Sequence, residues 1–121
     1  MNRRNKPQTP RAFVVVEPDP IINLDLVTMI RGTFDDGQVS AVQSWADAAS
    51  LISAIHSHTT ILINGALLND RRLDTLRNVV SRGAYIVIVG KDILTDFPKA
   101  VVEVPFTTEM ILTALRNGVA D

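Results

Sequence analysis

The sequence predicts an α/β domain built on a parallel, doubly wound sheet, and three observations carry that prediction. Strand-length apolar runs alternate with helix-length amphipathic segments five times along the chain. Two of the runs, Ala12–Val16 and Thr60–Ile63, show no polar alternation, as expected of strands covered by helices on both faces. Asn64-Gly65 then ends the second of these runs and puts a polar side chain where open α/β sheets present their chemistry, outside the carboxyl end of a strand. Taken alone, that dipeptide is equally a plain turn signal.

Size and composition bound the rest. A chain of 121 residues with 46% apolar content is one domain with a real core and needs no disulfide or metal staple. It has no cysteine, so thiol chemistry and zinc-thiolate sites are excluded, and a reducing cytoplasm is the expected location. Twelve basic residues against thirteen acidic ones leave no basic stripe for nucleic acid. The one local excess, Arg3, Arg4, Lys6 and Arg11, falls in residues 1–11, which read as a disordered leader ahead of a domain over residues 12–121. No apolar stretch is long enough to span a bilayer, and the leader lacks the apolar core of an export signal.

Within the domain, Ala12–Val16 reads as the first strand and ends at Glu17-Pro18-Asp19-Pro20. Asp19 as N-cap and Pro20 as first helical residue predict a helix to about Arg31, stopped near Gly32. Ile22, Leu26, Met29 and Ile30 form its core stripe. Ile21, Leu24 and Val27 fall outside that stripe, so the helix is apolar nearly all round and offers a partner surface. Gln38–Gln43 alternates and reads as an edge strand. Ser44, with an acid at Asp47, starts a helix to about His56. His56 and His58 flank its end and lack a third metal ligand nearby, so a helix-terminal role is the better account of them.

After the central strand, Asp70 as cap predicts a helix to about Arg82, with Leu73, Leu76, Val79 and Val80 inward and Arg71, Arg72 and Arg77 on a solvated face. Tyr85–Val89 is the fourth strand, ending at Gly90-Lys91. The interval from Lys91 to Glu103 must cross over and also supply a fifth strand, Ala100–Val104, in little more than the ~10–12 residues of a crossover alone. Pro98 shortens any helix there, which leaves at most one turn near Asp92–Asp96. Val104-Pro105-Phe106 is a turn, and Thr107 caps a last helix to about Asn117, ended by Gly118. The strand order that fits is the flavodoxin-like 2-1-3-4-5, with the most apolar strands central and Gln38–Gln43 at an edge. The glycine spacing of a phosphate-binding loop is missing.

Together, Val14-Val-Val-Glu17-Pro-Asp19-Pro20, Ile61-Leu-Ile-Asn64 and Val104-Pro105-Phe106-Thr107 resemble the CheY-like receiver domain of two-component response regulators. The resemblance covers nearly all of the chain after the leader. It implies a magnesium site at the acids after the first strand, where Glu17 and Asp19 remain and Pro18 stands between them. It also implies a phosphoacceptor aspartate at the position of Asn64, a hydroxyl residue at Gly90, a lysine at Val104 and an aromatic switch residue near Val101. All of these have changed except the remaining acids.

The changes are chemically consistent. A carboxamide is a poor nucleophile toward phosphorus and brings no charge to a magnesium ion. Without the acceptor anion, a buried ammonium at position 104 would lose part of its compensation, and an apolar residue costs less. The resemblance therefore implies a stand-alone pseudo-receiver, a phosphorylation-independent interaction module of bacterial phosphorelay signalling and not an enzyme, with no cofactor and weak or no magnesium binding. Its expected partners are signalling proteins, such as a histidine kinase or another regulator, or a second copy of itself. Ile21, Leu24, Val27, Phe106 and Met110 are the candidate contact residues. The alternatives are a receiver phosphorylated on Glu17 or Asp19, and a flavodoxin-like pocket that takes a small ligand at Glu17, Asn64 and Gly90.

Overall fold

The computed structural model describes residues 11–34, 37–55, 58–103 and 106–119, and within α4 the side chains up to Asn117. The chain runs β1 (Ala12–Val16), α1 (Pro20–Thr33), β2 (Gln38–Val42), α2 (Trp45–Ser53), β3 (Thr59–Asn64), a single 3-10 turn (Gly65–Leu67), α3 (Asp70–Val80), β4 (Tyr85–Val89), β5 (Lys99–Val102) and α4 (Thr108–Val119). The strands form one sheet in the order β2-β1-β3-β4-β5, and every neighbouring pair is parallel. The predicted doubly wound fold and its strand order are therefore what the chain adopts.

Alternation along the strands sorts the core into two layers. Phe13, Val15, Leu62, Val87, Val89 and Val102 face α1 and α4, where they meet Leu26, Ile30, Ile111 and Leu115. Val14, Val16, Ile61, Ile63, Ile86 and Ile88 face α2 and α3, where they meet Ala48, Ile52, Leu76 and Val79. β1, β3 and β4 are buried on both faces, which is why their sequences do not alternate. Truncating a fully buried residue such as Leu62 to alanine would cost ~2–5 kcal/mol in lost transfer energy and cavity. The outer strand β2 keeps the polar alternation of its sequence.

Several boundaries differ from expectation. α1 continues through Gly32 to Thr33, because a glycine in a solvated last turn costs little and no neighbour crowds it. α2 stops at Ser53, short of His56, which lies outside the described residues. Asn69, not Asp70, caps α3, its side chain accepting from Arg72 N at 2.9 Å, so Asp70 instead places its charge in the first turn. α4 runs through Gly118, with Thr107 Oγ1 accepting from Met110 N at 3.1 Å as its sequence implied. β5 spans Lys99–Val102, whereas Ala100–Val104 was expected; Val104 and Pro105 lie outside the described residues. Arg11, assigned by sequence to the leader, belongs to the fold: its carbonyl accepts from Gln38 N at 2.8 Å and its guanidinium lies over the Phe34 ring.

Two arginines of α3 are also more than a solvated face. Arg72 lies over the Trp45 ring and donates to the Leu67 carbonyl. Arg77 donates from Nε to Asp96 Oδ1 at 2.8 Å, which ties α3 to the crossover, and also pairs with Asp74.

That crossover, residues 91–98, contains no helix, not even the single turn near Asp92–Asp96 that the sequence left room for. Pro98 bars a turn that would run on into β5, and the apolar face a helix would have supplied is replaced by one side chain. Phe97 is buried in the layer beneath α2 and α3.

Candidate functional site

Parallel strands of similar length put all their carboxyl ends on one edge of the sheet. The register pairs Val16 with Ile63 and Asn64 with Val89, so the residues that follow β1 and β4 flank the last residue of β3. Glu17, Asn64 and Gly90 are brought together by that register alone, and Asp19 joins them from the start of α1.

Glu17 is buried, and its carboxylate is held by hydrogen bonds from two directions. Asn64 Nδ2 donates to Oε1 at 3.0 Å and to Oε2 at 3.3 Å, and the backbone N–H of Asp19 donates to Oε2 at 2.9 Å. Among the described residues no cation pairs with it. Asn64 Oδ1 turns the other way and accepts from Ala66 N at 2.8 Å, which starts the 3-10 turn after β3. Asp19 caps α1, its Oδ1 accepting from Ile21 N at 2.9 Å and Ile22 N at 3.2 Å. The cap explains why a helix begins at Pro20, and it directs this carboxylate oxygen toward α1.

Each side-chain type is suited to this role. An amide has donors on one end and an acceptor on the other, so Asn64 can bond a carboxylate and a backbone N–H at once. An aspartate in its place has only acceptors when ionised and would face the Glu17 carboxylate with like charge. Asn64 therefore neutralises nothing but completes the hydrogen bonding of a buried anion, which is the condition for burying one.

Gly90 adopts φ +97°, a left-handed conformation that side chains resist, and the position of a Cβ there would lie 3.8 Å from Asn64 Oδ1. A hydroxyl residue at this position would look onto Asn64 but would carry backbone strain. Gly65 has a different constraint. A Cβ on it would lie 2.3 Å from the Lys91 carbonyl oxygen, so only glycine lets the crossover settle against the end of β3.

The candidate contact residues divide. Ile21 and Leu24 are 73% and 64% exposed, one turn apart on α1, and Met110 on α4 is 39% exposed. Val27 does not belong with them: it is buried in the core layer shared with α4, so the inward stripe is wider than Ile22, Leu26, Met29 and Ile30. Phe106 is half-buried against the core layer shared with α1 and α4. Val101, the residue at the switch position, packs on the opposite layer. Val104 lies outside the described residues.

Two residues of the region escaped the sequence reading. Asn23 is buried in α1 and donates from Nδ2 to the carbonyls of Glu17 at 3.1 Å and Val42 at 3.0 Å, fixing the loop that presents Glu17. A lone amide beside the apolar stripe was its only signal. Leu94, within the crossover, is 93% exposed and nothing in its local pattern foretold that. Among the described residues no group of three His, Asp or Glu side chains is placed to hold a metal, and no helix is long and apolar enough to cross a membrane.

No family model and no curated protein matches this sequence. Solved structures do. A response regulator receiver domain protein of Bacillus halodurans superposes with a TM-score of 0.77 at 15% identity, over 91% of this chain and 97% of that one. The receiver domain of a Pseudomonas aeruginosa sensor histidine kinase, with a magnesium ion in its active-site cleft, gives 0.71 at 14% identity, over 93% and 100%. A chain from the complex of CheY6 with the phosphorylated P1 domain of CheA3 from R. sphaeroides gives 0.64 at 20% identity, over 93% and 100%. The fold of this chain is thus that of the CheY-like receiver domains, matched along nearly its whole length.

Proposed function

We propose that this receiver fold serves two-component signalling as a protein-interaction module that neither accepts a phosphoryl group nor catalyses a reaction. One observation carries the reading: the residue at the end of β3 is an amide that spends both ends of its side chain holding the site closed. Asn64 Nδ2 bonds the Glu17 carboxylate and Asn64 Oδ1 bonds Ala66 N. No carboxylate oxygen is left at that position to attack phosphorus.

The donor set is also a poor fit for magnesium, which demands near-octahedral oxygen ligation. Glu17 Oε2 accepts from Asp19 N, Asp19 Oδ1 accepts from two α1 amides, and the Asn64 oxygen faces Ala66. A metal would compete with these bonds for the same oxygens and would gain one fewer charge than from an aspartate. Asp19 is the weaker candidate for a substitute acceptor, since its Oδ1 is engaged in capping α1 and only Oδ2 is left to attack phosphorus. Glu17, buried under Asn64, offers no open approach either.

The neighbour from the complex with the phosphorylated P1 domain of CheA3 suggests the class of partner, a signalling protein. Ile21 and Leu24, exposed and apolar on α1 shortly after Asp19, are the candidate docking residues. Incubation with acetyl phosphate and magnesium, followed by intact-mass measurement, tests the central claim. The expected result is no added phosphoryl group, and a stoichiometric adduct lost in Asp19→Ala or Glu17→Gln overturns it.

A further inference from the structure

A cavity of about 570 Å³ opens where the first turns of α2 and α3 meet, lined by Trp45 of α2 and by Asn69, Asp70, Arg71 and Arg72 at the start of α3. Its volume lies in the range of small-molecule sites. Trp45 is half-buried against the core layer beneath α2 and α3, and the Arg72 guanidinium carbon lies over its ring, 5.3 Å from the centroid. The Leu67 carbonyl accepts from Arg72 Nη1 at 2.6 Å. A ring contact and a hydrogen bond together hold this guanidinium in one orientation, so a flat cation and a flat indole are presented to the cavity ready-made.

The charges of the lining are left over. A guanidinium has five N–H donors, and the Leu67 carbonyl takes one of those on Arg72. Among the described residues no carboxylate pairs with Arg72 or with Arg71, whereas Arg77 further along α3 is shared by Asp74 and Asp96. Asp70 is the one acid in the lining, so the two arginines keep the cavity net cationic. Both cations also stand in the first turn of α3, where the helix dipole disfavours positive charge. An anion in the cavity offsets that placement and fills the free donors at once.

These features divide the work of recognition. Trp45 and the plane of Arg72 offer polarisable surface to an aromatic ring, and the forks of Arg71 and Arg72 match the oxygens of a phosphate or carboxylate. Side-chain forks hold such an anion without a glycine-rich loop, so a ligand of this kind needs none of the glycine spacing that the sequence lacks.

We infer that this cavity binds a small aromatic anion, a planar ring carrying a phosphate or a carboxylate, with the ring against Trp45 and the anion on Arg71 and Arg72. The inference is independent of the closed crevice, since it uses none of Glu17, Asp19 or Asn64.

Trp45 is the single tryptophan of the chain, so its emission reads this cavity alone. Titration of the full chain with adenosine monophosphate, benzoate, adenosine and inorganic phosphate tests the inference. One or both of the aromatic anions are expected to change the emission saturably at roughly millimolar concentration or below, and adenosine and inorganic phosphate, each carrying half of the recognition, to bind at least about tenfold more weakly. Saturation by the nucleotide alone makes the anion a phosphate, and by benzoate alone a carboxylate. Arg71→Gln, at an exposed side chain, is expected to weaken binding about threefold or more, and Arg72→Lys about tenfold, because lysine keeps the charge and loses the planar fork. Asp70→Asn tightens it, added salt weakens it, and Arg116→Gln on α4 leaves it unchanged. Thermal melts of each variant separate lost binding from lost folding. The inference is overturned if neither aromatic anion saturates the signal by about ten millimolar, beyond the range of weak specific binding. It is equally overturned if adenosine or inorganic phosphate alone binds as tightly, or if folded Arg71→Gln and Arg72→Lys both bind like the wild type.

Discussion

Asn64→Asp gives the crevice the aspartate that the sequence resemblance implies at this position, and its cost follows from the contacts. The substitution removes an amide that donates to Glu17 at 3.0 and 3.3 Å; a hydrogen bond to a charged group contributes ~1.5–3 kcal/mol. It also sets a second carboxylate about 3–4 Å from the first, a repulsion on the order of 4 kcal/mol at an effective dielectric near 20. The carboxyl introduced at position 64 avoids part of this by keeping its proton, so its ionisation is pushed above the ordinary value. A net loss of about 3 kcal/mol at pH 7 is expected, or roughly 10 °C in Tm for a domain of this size.

The sign with pH is fixed by linkage. A carboxyl whose folded-state ionisation is raised binds more protons folded than unfolded, so stability falls as pH rises from about 3.9 to the raised value and is flat above it. Denaturant titration of wild type and variant in chelator should therefore show a gap at pH 7 that narrows toward pH 4. Added magnesium should narrow it at pH 7 by mass action on the variant alone. Equal stability of the two proteins at pH 7 without metal would refute the reasoning, because the Asn64–Glu17 bonds would then contribute nothing.

Other perturbations reach the same region. Gly65→Ala drives a methyl into the Lys91 carbonyl and should cost ~1–3 kcal/mol by overpacking, with faster amide exchange confined first to residues 91–98. Gly90→Ser restores a hydroxyl but must hold a left-handed φ; a loss of ~1–2 kcal/mol is expected in thermal melts, with no phosphoryl uptake from acetyl phosphate. The hydrogen bond from Arg77 holds the Asp96 carboxyl below its ordinary value, so its contribution is present above that value and is lost as pH falls through the lowered one. Asp96→Asn should remove that acid-range dependence and raise protease cleavage within 91–98. Burial pushes the Tyr85 phenol up from 10.0, so the wild type should lose stability as pH rises past 10, and Tyr85→Phe should abolish that component.

Sheet order was legible because burial on two faces leaves a direct mark: Ala12–Val16 and Thr60–Ile63 lack alternation, and Gln38–Val42 keeps it. The site was legible as a set of positions, since Glu17, Asp19, Asn64 and Gly90 all follow from strand ends and one cap. What those side chains do to one another was not. No spacing rule reveals that the amide of Asn64 faces Glu17 while its oxygen faces Ala66, because a carboxamide can present either end. Val27 was misplaced for a related reason: helical periodicity gives a face but not its width, which depends on how closely α4 packs beside α1. The cap of α3 went to Asn69 instead of Asp70 because adjacent capping residues are equivalent in sequence and only the backbone decides between them.

The crossover gives the crevice its larger meaning. A signalling fold that answers to a phosphoryl group needs a segment with two arrangements of similar energy, and the site must bias one of them. In this chain the segment after β4 is held at four points. Its first carbonyl, that of Lys91, rests on Gly65, Asp92 pairs with Lys99 on β5, Asp96 is tied to Arg77, and Phe97 is buried in the core beneath α2 and α3. Moving it would expose Phe97, worth ~1.5–3 kcal/mol of burial, before counting the ion pairs. Meanwhile the crevice offers no acceptor carboxylate at Asn64 that could drive the move. On the proposed reading, a site without an acceptor and a segment held in place fit one another, since a live acceptor coupled to a fixed segment would transmit nothing. On that reading, the exposed Ile21–Leu24 face of α1 is a surface that a partner reads without any rearrangement of the crossover.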